Sequence, residues 1–254
     1  MSALIIFDEQ GRILEKIKEH NKIAEKLKSI GIRFEKWQTE KELPWSADQN
    51  EVIQTYKNDI DRINSEFGFK SIDVVSLTPD NPKKVELRNM FLSEHIHTDF
   101  EVRFFVDGSG TFYLHPDDKV YVVLCEKGDF ISVPANTKHW FDMGNEPFFK
   151  AIRFFSTPDG WVANFTGSDI SQKIPSHDEI VKMTKEDTTE IKEHTKKTKI
   201  NKAKSVKKSE TKKAKSAKKS IKNRKMKNSL KQEKTKRKIQ IKQKTKIKKS
   251  KKKK

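Results

Sequence analysis

Residues 94–105 read Glu94-His95-Ile96-His97-Thr98-Asp99-Phe100-Glu101-Val102-Arg103-Phe104-Phe105, and this stretch decides the fold. On an extended strand, residues two apart face the same side. His95 and His97 therefore aim two imidazoles at one point. Glu101 and Arg103 keep the same parity, so an unbulged strand adds a carboxylate and a guanidinium to that face. Burying so many polar groups is costly unless they are paired or bind a metal. A later strand brings His139, flanked by Trp140 and Phe141, as a fourth donor. Three imidazoles and one carboxylate suit a divalent first-row metal such as iron, nickel or manganese. A structural zinc site more often closes with thiolates, and Cys125 is the one cysteine. Four protein ligands on an octahedral ion leave two adjacent positions for a chelating substrate.

The surroundings are of β type. Short runs over 72–77, 84–91, 101–105, 111–114, 120–125, 130–133, 139–142 and 148–155 read as strands. Turn signals separate several of them: Thr-Pro-Asp-Asn-Pro at 78–82, Asp-Gly-Ser-Gly at 107–110, His-Pro-Asp-Asp at 115–118 and Lys-Gly-Asp at 127–129. This spacing predicts an antiparallel sandwich or small barrel, in which closure removes exposed edges. Ahead of it, 20–30 reads as a helix ended by Gly31 and 32–37 as a strand. Ser46 and Gln49 suggest a capping box. Ile53, Tyr56, Ile60, Ile63 and Phe67 then form one apolar helical stripe running to Gly68, read as core that covers a sheet. Residues 161–190 read as a loop with a short helix near Glu179–Met183. The fold class is mainly β with flanking helices.

Charge divides the chain. Residues 191–254 hold 31 basic and 3 acidic side chains, a net of +28, whereas 1–190 hold 24 and 33, a net of −9. All 23 aromatic residues precede Ser168, the last being Phe165. A body of about 180 residues suffices for one domain. The basic segment has no large side chains for a core and is expected to be a disordered tail. Its lysines suit non-specific contact with nucleic-acid phosphates or another anionic surface, without base stacking. A single cysteine excludes a disulfide framework. The apolar run 3–7 is too short for a signal sequence or a membrane span, and a cytoplasmic location is expected.

The segments His95-x-His97-x3-Glu101-x6-Gly108 and Gly128-x5-Pro134-x-Asn136-x2-His139 resemble the two signature motifs of the cupin superfamily. Asn89 replaces a frequent glycine, and Asn136 replaces the glycine of the usual Pro-x-Gly. Asparagine tolerates a positive φ, so the second turn is expected to form. The runs 95–110 and 133–144, the opening Met1-Ser-Ala-Leu, and Ala151-Ile-Arg-Phe-Phe followed by Gly160-Trp161 are similar to the acireductone dioxygenase family. The likeness covers about residues 1–180 and leaves out the lysine-rich tail, which is not typical of that family. It implies a cupin-type barrel, a jelly-roll-like double-stranded β-helix, over 1–180 with a low-complexity tail over 181–254.

The resemblance also implies a function: metal-dependent oxidation of a methylthio acireductone by O2 in methionine salvage. With Fe(II) the products are the 2-oxo acid precursor of methionine and formate. With Ni(II) they are methylthiopropionate, formate and carbon monoxide. Carried onto this chain, His95, His97, Glu101 and His139 hold one metal, and a cytoplasmic monomer is expected. Arg103, on the ligand face, is a candidate to orient the anionic substrate, or else a partner of Glu101 or Asp99. Phe141, Trp161 and Phe91 are candidate walls for the methylthio end, with plain core packing the alternative. Arg153 has a weaker claim, against an ion pair. His115 reads as solvated, and His20, His177 and His194 are given no chemistry. Two competing readings are a nucleic-acid-associated protein with a metal-binding cupin body, and a cupin enzyme acting on a different substrate.

Overall fold

The computed structural model describes residues 1–38, 42–157 and 162–186, with two isolated positions, Met226 and Glu233. Trp161 and, apart from those two positions, residues 187–254 of the expected tail lie outside the described residues, whereas 181–186 are not tail but the end of a helix packed on the core through Val181 and Met183. Residues 1–187 form one compact unit.

The apolar run at the N-terminus is strand β1 (Ala3–Asp8), paired with β2 (Ile13–Ile17). Helix α1 (His20–Lys28) follows, and Gly31 lies beyond it at φ +80°, in the left-handed region a glycine enters without strain. After β3 (Arg33–Lys36), the predicted apolar stripe is present but divided. Helix α2 (Gln49–Thr55) and helix α3 (Lys57–Phe67) meet at Tyr56, where the backbone leaves helical geometry. The capping box is Asp48 with Glu51 rather than Ser46 with Gln49. Asp48 accepts from the Glu51 amide at 2.9 Å, while the Gln49 side chain accepts from the Val74 amide instead.

Strand β4 (Ser71–Leu77) is as read, but 84–91 is not a strand. It forms helix α4 (Lys84–Asn89), with Val85 exposed. The alternation of Val85 and Leu87 imitates a strand, yet Lys, Glu, Leu and Arg are good helix formers. Residues 101–114 are one strand, β6 (Glu101–Leu114), and not two separated by a turn. It follows the short β5 (His95–Ile96) and precedes β7 (Lys119–Glu126), β8 (Asp129–Val133), β9 (His139–Asp142), β10 (Phe149–Phe155) and β11 (Asn164–Phe165).

Strand β6 belongs to two sheets. Residues 109–114 pair with β7 and β9, in the order β11-β5-β9-β6-β7-β1-β2. Residues 101–108 pair with β8 and β10, in the order β4-β10-β6-β8-β3. The transfer falls at Gly108, φ +71°, where a β-carbon would lie 1.9 Å from the Phe148 carbonyl oxygen. The Asp-Gly-Ser-Gly signal therefore marks a bend in a continuous strand.

Between the sheets lie Leu4, Phe105, Phe112, Val123, Cys125 and Phe141. Helices α2 and α3 cover the outside of the second sheet, packing Val52, Ile60 and Ile63 with Val102, Phe104 and Phe154. The outside of the first sheet is covered by a helix over 177–186 that buries Ile180. Among the described residues no helix is long and apolar enough to cross a membrane.

Candidate metal centre

Strand pairing brings together residues far apart in sequence. His95 of β5 stands directly opposite His139 of β9. The backbone bends over 97–100, and β6 begins at Glu101. The four predicted side chains, His95, His97, Glu101 and His139, are all buried, with their donor atoms within 4.8 Å of one another.

Each imidazole is oriented by a backbone carbonyl. Nδ1 of His95 lies 2.8 Å from the Ser93 oxygen, that of His97 2.8 Å from the Val162 oxygen, and that of His139 2.7 Å from the Thr137 oxygen. A carbonyl only accepts, so each ring holds its proton at Nδ1 and turns an Nε2 lone pair inward. Glu101 Oε2 lies 2.9 Å from His139 Nε2 and 3.1 Å from His97 Nε2. His95 Nε2 is buried with no hydrogen-bond partner. Three inward lone pairs beside a carboxylate repel one another unless a cation lies among them. The donor set and the orphaned His95 nitrogen therefore fit a divalent metal.

The titration directions differ among the rings, because in place of a cation a proton on an imidazole Nε2 also satisfies the carboxylate. Burial, and next the neighbouring His139, push the His95 ring down to about 4, so its lone pair is available at neutral pH. Burial acts the same way on His97, but the hydrogen bond and charge of Glu101 outweigh it and raise that ring. Glu101 stays ionised: burial opposes the charge, and the Arg103 charge with two histidine hydrogen bonds overcomes it.

Arg103 Nη2 lies 2.8 Å from Glu101 Oε1, so the ion pair foreseen as one alternative is present. Its guanidinium carbon stands 4.3 Å from the Phe141 ring centre, 5.4 Å from that of Phe112 and 5.9 Å from that of Phe91. Three aromatic faces thus hold a buried cation beside the carboxylate. Phe141 is fully buried, while Phe91 is half-buried and 6.3 Å from the His95 ring. Arg153 is opposite Arg103 across the ladder, but both arms of its guanidinium reach Asp73, at 2.9 and 2.6 Å. That is the ion pair weighed against a substrate role.

His115 is not solvated. It is buried, with Nδ1 2.5 Å from Glu94 Oε2, because β6 carries it in beside the segment preceding β5. Sequence reading also missed Phe165, whose ring meets that of His95 edge-on at 5.8 Å. The link depends on β11, a strand too short to show periodicity.

An antiparallel β-barrel with three histidines and a glutamate converging inside it is a metal-binding cupin. A family model described as the ARD/ARD' family matches residues 3–163. An acireductone dioxygenase from Hydrogenobaculum sp. (strain Y04AAS1) is 68% identical over 183 residues, covering 72% of this chain and 100% of that protein. Another, from Aquifex aeolicus (strain VF5), is 54% identical over 181 residues, covering 71% and 99%. Among solved structures, acireductone dioxygenase from Bacillus anthracis with a cadmium ion in its active centre aligns with a TM-score of 0.58 at 32% identity. That alignment covers 65% of this chain and 98% of the other. The chain belongs to the ARD/ARD' family, and it is a metal-dependent dioxygenase of methionine salvage.

Proposed function

We propose that residues 1–180 oxidise a methylthio acireductone with O2, and that His95, His97, Glu101 and His139 hold one Fe(II) or Ni(II) per chain. The convergence of these four buried donors within 4.8 Å carries the reading. A divalent ion held by these four residues would supply Lewis acidity to the two oxygens of the substrate's enediolate. The protein supplies the rest. The carbonyls of Ser93, Val162 and Thr137 fix the tautomer and orientation of the imidazoles. Arg103 places a positive charge where the anionic substrate binds, and the aromatic cage holds its plane for a forked hydrogen bond. Phe141 and Phe91, which flank Arg103, are proposed as apolar walls for the methylthio end, and Trp161 keeps the same proposed role from its sequence. All four donors come from one chain, so the site needs no second copy, and a monomer is proposed. A free, buried Cys125 suits the reducing cytoplasm.

With Fe(II) the products are formate and the 2-oxo acid precursor of methionine. With Ni(II) they are methylthiopropionate, formate and carbon monoxide. Loading the apoprotein with each metal in turn and identifying products alongside oxygen uptake tests this. No uptake with either metal would refute the activity, and identical products would refute the branch.

For 188–254 we propose a tail that binds nucleic-acid phosphates without sequence preference. Its net charge supports this. DNA binding that weakens steeply with salt and vanishes on deleting 188–254 is expected. Equal binding by the shortened chain would refute it.

A further inference from the structure

The cross-strand ladder that aligns His95 with His139 extends one strand further, to Phe165. Phe165 of β11 stands directly opposite His95 of β5, and His139 in turn is opposite Leu114 of β6. Residues directly opposed in an antiparallel pair project from the same face. Phe165, His95 and His139 therefore form one row on the inner face, with Phe165 at its open end.

The ring is placed there by several independent contacts. The Thr166 amide donates to the Glu94 carbonyl at 3.1 Å, and the Thr166 hydroxyl donates to Glu94 Oε1 at 2.7 Å. The other Glu94 oxygen is engaged by His115, so a buried carboxylate locks β11 to β5 from the back of the sheet. On the site side the Val162 carbonyl accepts a hydrogen bond from His97 Nδ1 at 2.8 Å. Although so firmly held, Phe165 remains 59% exposed, an apolar ring at the outer end of the row that meets the buried His95 ring at 5.8 Å. Phe148 is exposed as well, but its ring stacks on Trp45 at 4.3 Å.

We infer that Phe165 is a specificity-determining residue that packs its ring on the apolar thioether end of the substrate. This rests on the acireductone reading above. A substrate whose two oxygens bind at the ion that the four donors would hold must carry its chain away from them, and the open end of the row presents an aromatic face. Thioether sulfur and aromatic rings attract one another. The ring gains burial only when the chain covers it.

The test compares kcat/KM for two acireductones, one ending in the methylthioethyl chain and one truncated to a methyl group. The wild-type holoenzyme and Phe165→Ala, Phe165→Leu and Phe148→Ala are measured. The preference for the long chain should fall about fivefold in Phe165→Ala, carried by KM, and fall less in Phe165→Leu. It should match the wild type in Phe148→Ala. Bound metal, measured by elemental analysis, should be equal in all four proteins. An unchanged preference in Phe165→Ala would overturn the inference while the acireductone activity stood. Loss of metal in that variant would also overturn it, because the ring would then serve to hold His95. No oxygen uptake by the wild type would overturn the activity and this inference with it.

Discussion

The phenyl ring of Phe141 occupies the space a side chain on Gly110 would need: a β-carbon there would lie 2.4 Å from Cζ and 2.7 Å from Cε2 of that ring. The same ring stands against the Arg103 guanidinium at 4.3 Å. Glycine at 110 thus positions the arginine indirectly, by leaving room for the ring beneath it.

Gly110→Ala should therefore cost about 1–3 kcal/mol of stability through overpacking. It should also lower kcat/KM about tenfold, because small misplacements of a positioning group are expensive. Urea denaturation and oxygen-uptake kinetics measure the two effects. Unchanged kinetics would show that Arg103 does not depend on the Phe141 ring.

Asn136 has a φ of +64°, and its amide donates to the His97 carbonyl at 2.8 Å. It is the one non-glycine residue with positive φ among the described residues. Asn136→Gly should fold and bind metal like the wild type. Asn136→Val should lose about 1–2 kcal/mol, the cost of a left-handed backbone for a residue with a bulky side chain. Thermal melts of the two variants decide it, and equal melting temperatures would contradict the strain.

Thr166→Val removes the hydroxyl that satisfies Glu94 Oε1. A buried carboxylate oxygen left without that partner should cost about 1–3 kcal/mol. Amide exchange across 162–166 should quicken more than in the rest of the barrel. Uniform exchange would show that the clamp does not hold β11.

His177 is buried with Nδ1 2.8 Å from the Thr111 hydroxyl. Burial lowers its pKa against the opposing charges of Asp142 and Asp178. Below about pH 6.5 the unfolded chain takes up this proton and the folded one does not. This group's contribution is therefore complete above that pH and declines as pH falls toward the lowered folded value. Apoprotein stability measured at pH 7.5 and pH 5 should drop less in His177→Gln than in the wild type. An equal drop would contradict the assignment.

Most of the barrel was legible because its strands carry apolar side chains on alternating positions between turn residues. The clustering of the donors was legible for a similar reason: H-x-H followed by Glu101 keeps strand parity, and the bend over 97–100 still delivers all three side chains to one point. Asn136 could be read as a glycine substitute because few other residues accept that backbone. Other features lay beyond pattern. The 84–89 helix shows two-residue alternation although its composition favours helix. The Gly108 bend looks like a turn until the pairing of both halves of β6 is seen. Glu94 with His115, and Phe165 with His95, are long-range pairs that local sequence does not encode.

The central claim is that His95, His97, Glu101 and His139 bind one metal ion together. Anaerobic titration of the apoprotein with nickel(II), followed by calorimetry, addresses it most directly in the wild type and in His139→Ala. The wild type should bind one equivalent and release protons, and His139→Ala should lose at least tenfold in affinity. Binding of equal strength in His139→Ala would contradict the four-residue centre.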